Sequence, residues 1–246
     1  MNLVDNNLNI RKFYELYSNF FDETTANPDI RIERIRRYLW NGVKSILDIG
    51  CWTGSVLNWL SEISERFWID ISPEILTQAK RKTQWIHFTE GNMLLLQKYF
   101  NRKFDAIISC YDTINHLLLW EEWLNLFLTI RSHLNKNWIF IFDVNTPTKF
   151  YNRINSKPKV IPFWENECIQ EVKKISDNIF EWTLNFCIYQ GNNQHENLQS
   201  SIKQACFPNE DIKKELSKYF SQITIETENP WEVLEKTERA YFICKA

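Results

Sequence analysis

Glycine is scarce. The 246-residue chain holds 5 glycines and 11 tryptophans, where ordinary usage of about 7% would supply roughly 17 glycines. That excludes a collagen-like chain or glycine-rich linkers. An excess of one charge is also lacking: 29 basic residues face 31 acidic ones, for a net charge of −2. No basic face emerges, which argues against a nucleic-acid partner. The six cysteines (51, 110, 168, 187, 206, 244) lie far apart, without a CxxC or a Cys/His cluster at zinc-ligand spacing. The expectation is no structural metal and a reducing cytoplasm. No run of about 18 apolar residues suggests a membrane span, and "MNLVDNNLNIRKFYEL" has no signal-peptide core. What the chain does have is a hydrophobic fraction of 44% and an aromatic fraction of 15%. These support a sizeable core in one large domain or a domain plus a small subdomain.

Along the chain, 7–21 reads as an aromatic-rich helix. "NPDIRIERIRRYLW" starts a second, with Asn27 as cap and Pro28 in the first turn. Strand and helix then alternate: strands at 44–50, 66–71, 85–90, 104–110 and 138–144, helices at 54–64, after Ser72-Pro73, and at 119–134. Apolar strands alternating with helices make a doubly wound α/β fold around a mostly parallel sheet. Beyond 146 the pattern changes. Segments 168–176, 179–190 and 198–207, separated by "DN" and "GNNQHEN", read as an antiparallel meander inserted over one end of the sheet. A helix from Asn209 and strands 222–227 and 239–245 complete a seven-stranded sheet.

The stretch "ILDIGCWTGSVLNWL" joins the first strand to a helix through a short loop. Such a loop presents free backbone N–H groups to a ligand. Asp70 ends the second strand, 20 residues after Gly50. An acidic residue there can accept both hydroxyls of a ribose, so the pair points to an adenosine-containing ligand. A helix-capping or solvated carboxylate is the alternative for Asp70. The loop does not follow the GxGxxG spacing that a pyrophosphate needs, which disfavours NAD.

"LDIGCWTG", "WIDISPEILTQAKRK", "FTEGNM", "FDAIISCYDTINHL" and "NKNWIFIFDVNTP" occur in order. They resemble successive motifs of class I S-adenosylmethionine-dependent methyltransferases over about 40–150, in a small-molecule, amine-accepting branch. The resemblance implies S-adenosylmethionine as cofactor. Asp48, Gly50, Cys51 and Gly54, with Trp52 in the same loop, would hold its methionine part. Asp70 would hold the ribose, Ile71 one face of the adenine, and Asn92 and Met93 the other. Asn92 stands where the family often has Asp; its side-chain oxygen can still accept a hydrogen bond. Met93 reads equally as core packing. Cys110 and Tyr111 would lie beside the sulfonium. Tyr14, Tyr17 and Phe21 either close over the cofactor or form an aromatic stripe packed on the sheet. Asp112, Asn115 and His116 follow the fourth strand at the ligand-binding edge. His116 is a candidate base for an acceptor ammonium, or a pocket wall or cap. Neither [DNS]PPY nor Pro-Cys follows that strand, which disfavours amino- and C5-directed nucleic-acid methylases.

The implied organisation is an N-terminal helical cap (1–40), a cofactor-binding core (41–150), an antiparallel lid (151–207) and the end of the sheet (208–246). The implied function is methyl transfer to a small molecule, with nitrogen the favoured acceptor and no membrane or nucleic-acid partner. A non-catalytic S-adenosylmethionine-binding protein and a protein or tRNA methylase are the alternatives. Neither the acceptor nor the oligomeric state is legible. Trp52, Trp68 and Trp138, and in one further case Trp85, stand where the family carries glycine. UGA codons read as glycine in the organism would explain few glycines and many tryptophans together; a diverged, inactive relative with true tryptophans is the alternative.

Overall fold

A computed structural model describes residues 10–11, 13–14, 29–39, 42–50, 52, 54–83, 85–192 and 194–246. Tyr17, Phe21, Asn27, Pro28 and Cys51 lie outside the described residues. Helix α1 (Asp29–Leu39) precedes β1 (Ser45–Ile49), α2 (Ser55–Trp59), β2 (Glu65–Asp70), α3 (Pro73–Lys82) and β3 (His87–Glu90). Then come α4 (Leu96–Tyr99), β4 (Phe104–Ser109), α5 (Trp120–His133) and β5 (Leu134–Asn145). After α6 (Pro147–Ile154) run β6 (Lys159–Phe163), β7 (Asn166–Lys174), β8 (Ile179–Gly191) and β9 (Gln194–Ala205). The chain ends with α7 (Asn209–Leu216), β10 (Gln222–Thr227) and β11 (Arg239–Lys245).

The main sheet has seven strands in the order β10-β11-β5-β4-β1-β2-β3. Only β11 runs against its neighbours. The strand order reverses beside β1, so a crevice opens at the carboxyl ends of β1 and β4, the customary ligand position in such folds. All five residues of β1 are buried, as a central strand covered on both faces requires. Leu47, Ile49, Phe127, Ile130 and Phe142 fill one face of the sheet; Ile46, Leu57, Leu76, Ile108 and Ile141 fill the other. Ser72 caps α3 by accepting the Ile75 amide at 3.3 Å, followed by Pro73 and Glu74 as anticipated.

The lid is a separate antiparallel sheet of four strands, β6-β7-β8-β9, rather than the three anticipated. The extra strand is KVIPF, whose Pro162 weakens its strand signature. The lid's inner side buries Phe163, Cys168, Leu184, Phe186 and Ile202 against Ile10 and Phe13, with Tyr14 and Ile71 at the margin. Asn115 fastens lid to sheet: its Nδ2 donates to the carbonyls of Asn145 (3.1 Å) and Ala205 (2.8 Å). Among the described residues no helix is long and apolar enough to cross a membrane.

Candidate active site

Two cavities meet above the carboxyl ends of the strands. The first, of about 340 Å³, lies over β1, β2 and β3 and is lined by Gly50, Trp52, Asp70, Ile71, Asn92 and Met93, among others. The second, of about 240 Å³, lies between the sheet edge and the lid and includes Asp112, Lys149, Arg153, Gln204 and Arg239. Tyr14, Trp52, Tyr111 and His116 line both. They form the partition through which the two spaces adjoin.

The loop after β1 is built around tight backbone approach. Gly50 has φ +68° and donates its amide to the Ile69 carbonyl at 2.8 Å. A Cβ at Gly50 would lie 2.3 Å from Thr113 Cγ2, so the position excludes any side chain. Gly54, at φ +84°, is covered by the Trp68 indole, 1.9 Å from where a Cβ would stand. Between them Trp52 sits at φ +55°, a conformation that costs an L-residue roughly 1–2 kcal/mol.

Two carboxylates stand beneath this loop. Asp48 is 1% exposed, and neither of its oxygens has a hydrogen-bond partner among the described residues. Burial, and then the neighbouring Asp70, push its pKa well above the usual carboxylate range. Asp70 accepts from the backbone amides of Ser72 (2.9 Å) and Trp52 (3.4 Å). Burial raises its pKa to about 6, against the opposing pull of those amides. Asn92 uses its side-chain oxygen to accept the Leu94 amide at 2.9 Å, which leaves a second lone pair for a ligand.

The residues after β4 divide. Tyr111 and Asp112 both have positive φ and both donate their amides to the Asp143 carboxylate, at 3.0 and 2.7 Å. Asp112 also accepts from Arg239 Nη2 at 2.7 Å and Gln204 Nε2 at 2.6 Å. Burial works to raise the Asp112 pKa, but Arg239 and then Lys149 more than offset it, so the net shift is downward and Asp112 stays ionised. Arg239 pairs with Asp143 as well. His116 is hydrogen-bonded through Nε2 to the Tyr14 hydroxyl. Burial holds its pKa below the ordinary imidazole value, although Asp112 pulls the other way. The imidazole is therefore neutral at pH 7.

Asp48, Gly54, Cys110 and Asn115 line neither cavity; Asp48 lies buried beneath the loop and Gly54 under the Trp68 indole. Cys110 is buried in the core, its thiol pKa pushed up chiefly by burial and then by Asp143, while its carbonyl accepts from Thr113 Oγ1 at 2.8 Å. Trp52, expected with the residues that hold the methionine part, is 8% exposed, packs against Ile75 and stands edge-on to Tyr14 with ring centroids 4.3 Å apart. Trp68 and Trp138, which stand where the family carries glycine, lie within strands β2 and β5, where φ is negative and no glycine is demanded. Trp85 is 81% exposed. Trp164, which drew no attention in the sequence, has φ +52° in the two-residue loop between β6 and β7. Glycine is favoured at such a position. Asp143, Lys149, Gln204 and Arg239 also escaped the sequence reading. The available signal was a single charge in each of the apolar runs "FIFDVN" and "RAYFIC".

A doubly wound seven-stranded sheet with a glycine loop after β1, an acid ending β2 and an inserted antiparallel lid is the Rossmann-like methyltransferase fold. Residues 46–137 match the family described as methyltransferase domain. YqeM of Bacillus subtilis (strain 168) is 32% identical over 108 residues, covering 42% of this chain and 43% of that protein. The chain thus spans less than half the length of the curated relative it matches. Among the solved structures that share the fold over nearly the whole chain are two methyltransferases. An S-adenosylmethionine-dependent methyltransferase from Clostridium acetobutylicum ATCC 824 superposes with a TM-score of 0.77 at 22% identity, covering 96% of this chain and 98% of that one. CalS10, an amino pentose methyltransferase from Micromonospora echinaspora with S-adenosylmethionine bound, gives 0.75 at 13% identity, covering 94% and 96%.

Proposed function

We propose that the protein transfers a methyl group from S-adenosylmethionine to a nitrogen of a small molecule. The observation that carries this reading is the pair of adjoining cavities, with Tyr14, Trp52, Tyr111 and His116 between them. One cavity suits the donor and the other the acceptor. The donor cavity fits the cofactor chemically. Asp48 is a buried carboxylate with no partner, and the ligand's ammonium would supply one. Asp70 would accept the ribose hydroxyls, Gly50 would allow close approach of the methionine tail, and Ile71 and Met93 would flank the adenine. CalS10, described as acting on an amino pentose, supports a small amine as acceptor.

Bound S-adenosylmethionine supplies a methyl on a sulfonium, already activated for displacement. The chain's task is then to align the acceptor and exclude water. Lid strands β8 and β9 cover the acceptor space through Trp182, Leu184, Ile202 and Gln204. His116, neutral and hydrogen-bonded at Nε2 to the Tyr14 hydroxyl, can take a proton from an acceptor ammonium relayed through that hydroxyl, which leaves the amine nitrogen with its lone pair free. The Tyr14 hydroxyl orients that ring.

The test is a panel of primary and secondary amines incubated with labelled S-adenosylmethionine. Methylated amine and S-adenosylhomocysteine should form in equal amounts. Saturable cofactor binding with no product on any amine would favour a non-catalytic binding protein instead. The indole of Trp52 in the partition is the observation that keeps this second reading alive.

A further inference from the structure

The acceptor cavity carries basic side chains that its own carboxylates do not balance. Lys149, Arg153 and Lys159 line it, and Arg153 and Lys159 also line an adjoining groove. Asp112 is committed to Arg239 and Gln204, and Glu228 stands 3.9 Å from both Arg31 and Arg239. Among the described residues no carboxylate lies within ion-pair distance of Lys149, Arg153 or Lys159. Lys149 Nζ donates to Asn145 Oδ1 at 2.7 Å and lies 5.6 Å from the centre of the Trp182 ring. Arg153 Nε is buried without a hydrogen-bond partner. A third, outer groove shares Arg153, Lys159 and Gln170 with this cavity and adds Lys157 and Lys173 against Glu171 alone. The positive track therefore runs outward from the methyl-transfer point to solvent. Lys149 and Arg153 are partly buried and Lys159 is exposed; Lys149 shares the Asp112 charge with Arg239, so the cluster carries more positive than negative charge, and its partly buried members cost free energy unless an anion joins them. Guanidinium and ammonium groups together suit phosphate and carboxylate oxygens.

We propose that the methyl acceptor carries a phosphate or carboxylate, seated on Lys149, Arg153 and Lys159 at the end of the cavity remote from the methyl. This rests on the methyl-transfer reading and adds to it the charge and polarity of the substrate. The groups facing Lys149 are Asp112, Glu228, Arg239 and Arg153. Burial, and then Arg239, lower its pKa to about 8 despite Asp112 and Glu228. An anion binds the protonated form, so acceptor affinity is full below pH 8 and declines as pH rises through that value.

Calorimetric titration of the whole chain with inorganic pyrophosphate and, separately, succinate, with and without S-adenosylhomocysteine, tests the proposal. At least one anion should bind, and the tighter of the two tells phosphate from carboxylate. Binding should weaken at least tenfold in Lys149→Gln and Arg153→Gln, and should weaken in the exposed-site variant Lys159→Gln, whose fold is least at risk. S-adenosylmethionine affinity should stay unchanged in all three. The proposal is overturned if neither anion binds the wild-type chain, or if the three variants bind as wild type does. Pyrophosphate binding without any S-adenosylmethionine binding would overturn the methyl-transfer reading while leaving the anion site standing.

Discussion

Replacing Trp52 by glycine should move stability and cofactor affinity in opposite directions. The indole is 8% exposed, packed on Ile75 and Tyr14, and truncating a buried tryptophan costs about 3–5 kcal/mol. Against this, the residue sits at φ +55°, and relief of that conformation returns about 1–2 kcal/mol. The ligand-free variant should therefore be destabilised by about 1–4 kcal/mol, more than a loop outside the core would imply. Affinity should move the other way. The side chain borders both the 340 Å³ and the 240 Å³ cavities, and in the proposed function it stands where the methionine tail would lie against bare backbone. Its removal should tighten S-adenosylmethionine binding at least tenfold, or about 1.4 kcal/mol. Trp52→Ala separates the two effects: it clears the indole but keeps a Cβ at positive φ, so it should be less stable than Trp52→Gly by about 1 kcal/mol. Denaturant melts give the stabilities, and calorimetry under identical conditions gives the affinities. If Trp52→Gly binds no better than wild type, the indole belongs to the site, and the reasoning from steric exclusion is wrong.

Cofactor binding should depend on pH through Asp70. Its pKa of about 6 lies above the free-carboxylate value, and ribose hydroxyls need the ionised form as acceptor. Affinity should be level above pH 7 and fall toward tenfold per pH unit below about 6; a flat profile from pH 5 to 8 would exclude this role. The same raised pKa works against the ligand-free fold as pH rises from about 4 to 6, since the folded state then holds the proton more tightly than the unfolded chain. Arg239→Met should cost about 3–5 kcal/mol, because it strands the buried carboxylates of Asp112 and Asp143; a melt within 1 kcal/mol of wild type refutes that pairing. In the encoding DNA, codons 52 and 164 should be UGA, since these two tryptophans hold positive φ; UGG at both would end the recoding account.

The donor half of the site was legible because it is local. Gly50 and Asp70, expected at one site, both border the first cavity, from a turn and the next strand end, and the spacing of 20 residues survives in the register of β1 against β2. Strands 222–227 and 239–245 were placed to the residue, each an apolar run between polar flanks. The acceptor half was not legible. Arg239 reaches Asp112 and Asp143 from 127 and 96 positions away, and no local pattern announces such a pairing. Asn115 looked like a pocket residue but spends its amide on the junction between sheet and lid. Strand β5 begins at Leu134, earlier than its apolar run, because Leu134 pairs with Phe104 before an irregularity over 135–138, after which the register resumes at Ile139. Tryptophan, judged only by where the family has glycine, pointed to Trp52, Trp68 and Trp138; backbone conformation keeps Trp52, drops Trp68 and Trp138, and adds Trp164.

The account's central claim is that the cavity beside Asp70 holds S-adenosylmethionine. Its most direct test is calorimetric titration of that ligand into the Trp52→Gly chain and into the same chain carrying Asp70→Ala. The account predicts one saturable site, weakened in the Asp70→Ala chain by about 1.5–3 kcal/mol as hydrogen bonds to a charged group are lost. Equal dissociation constants in the two proteins, or no saturable binding in either, would contradict it.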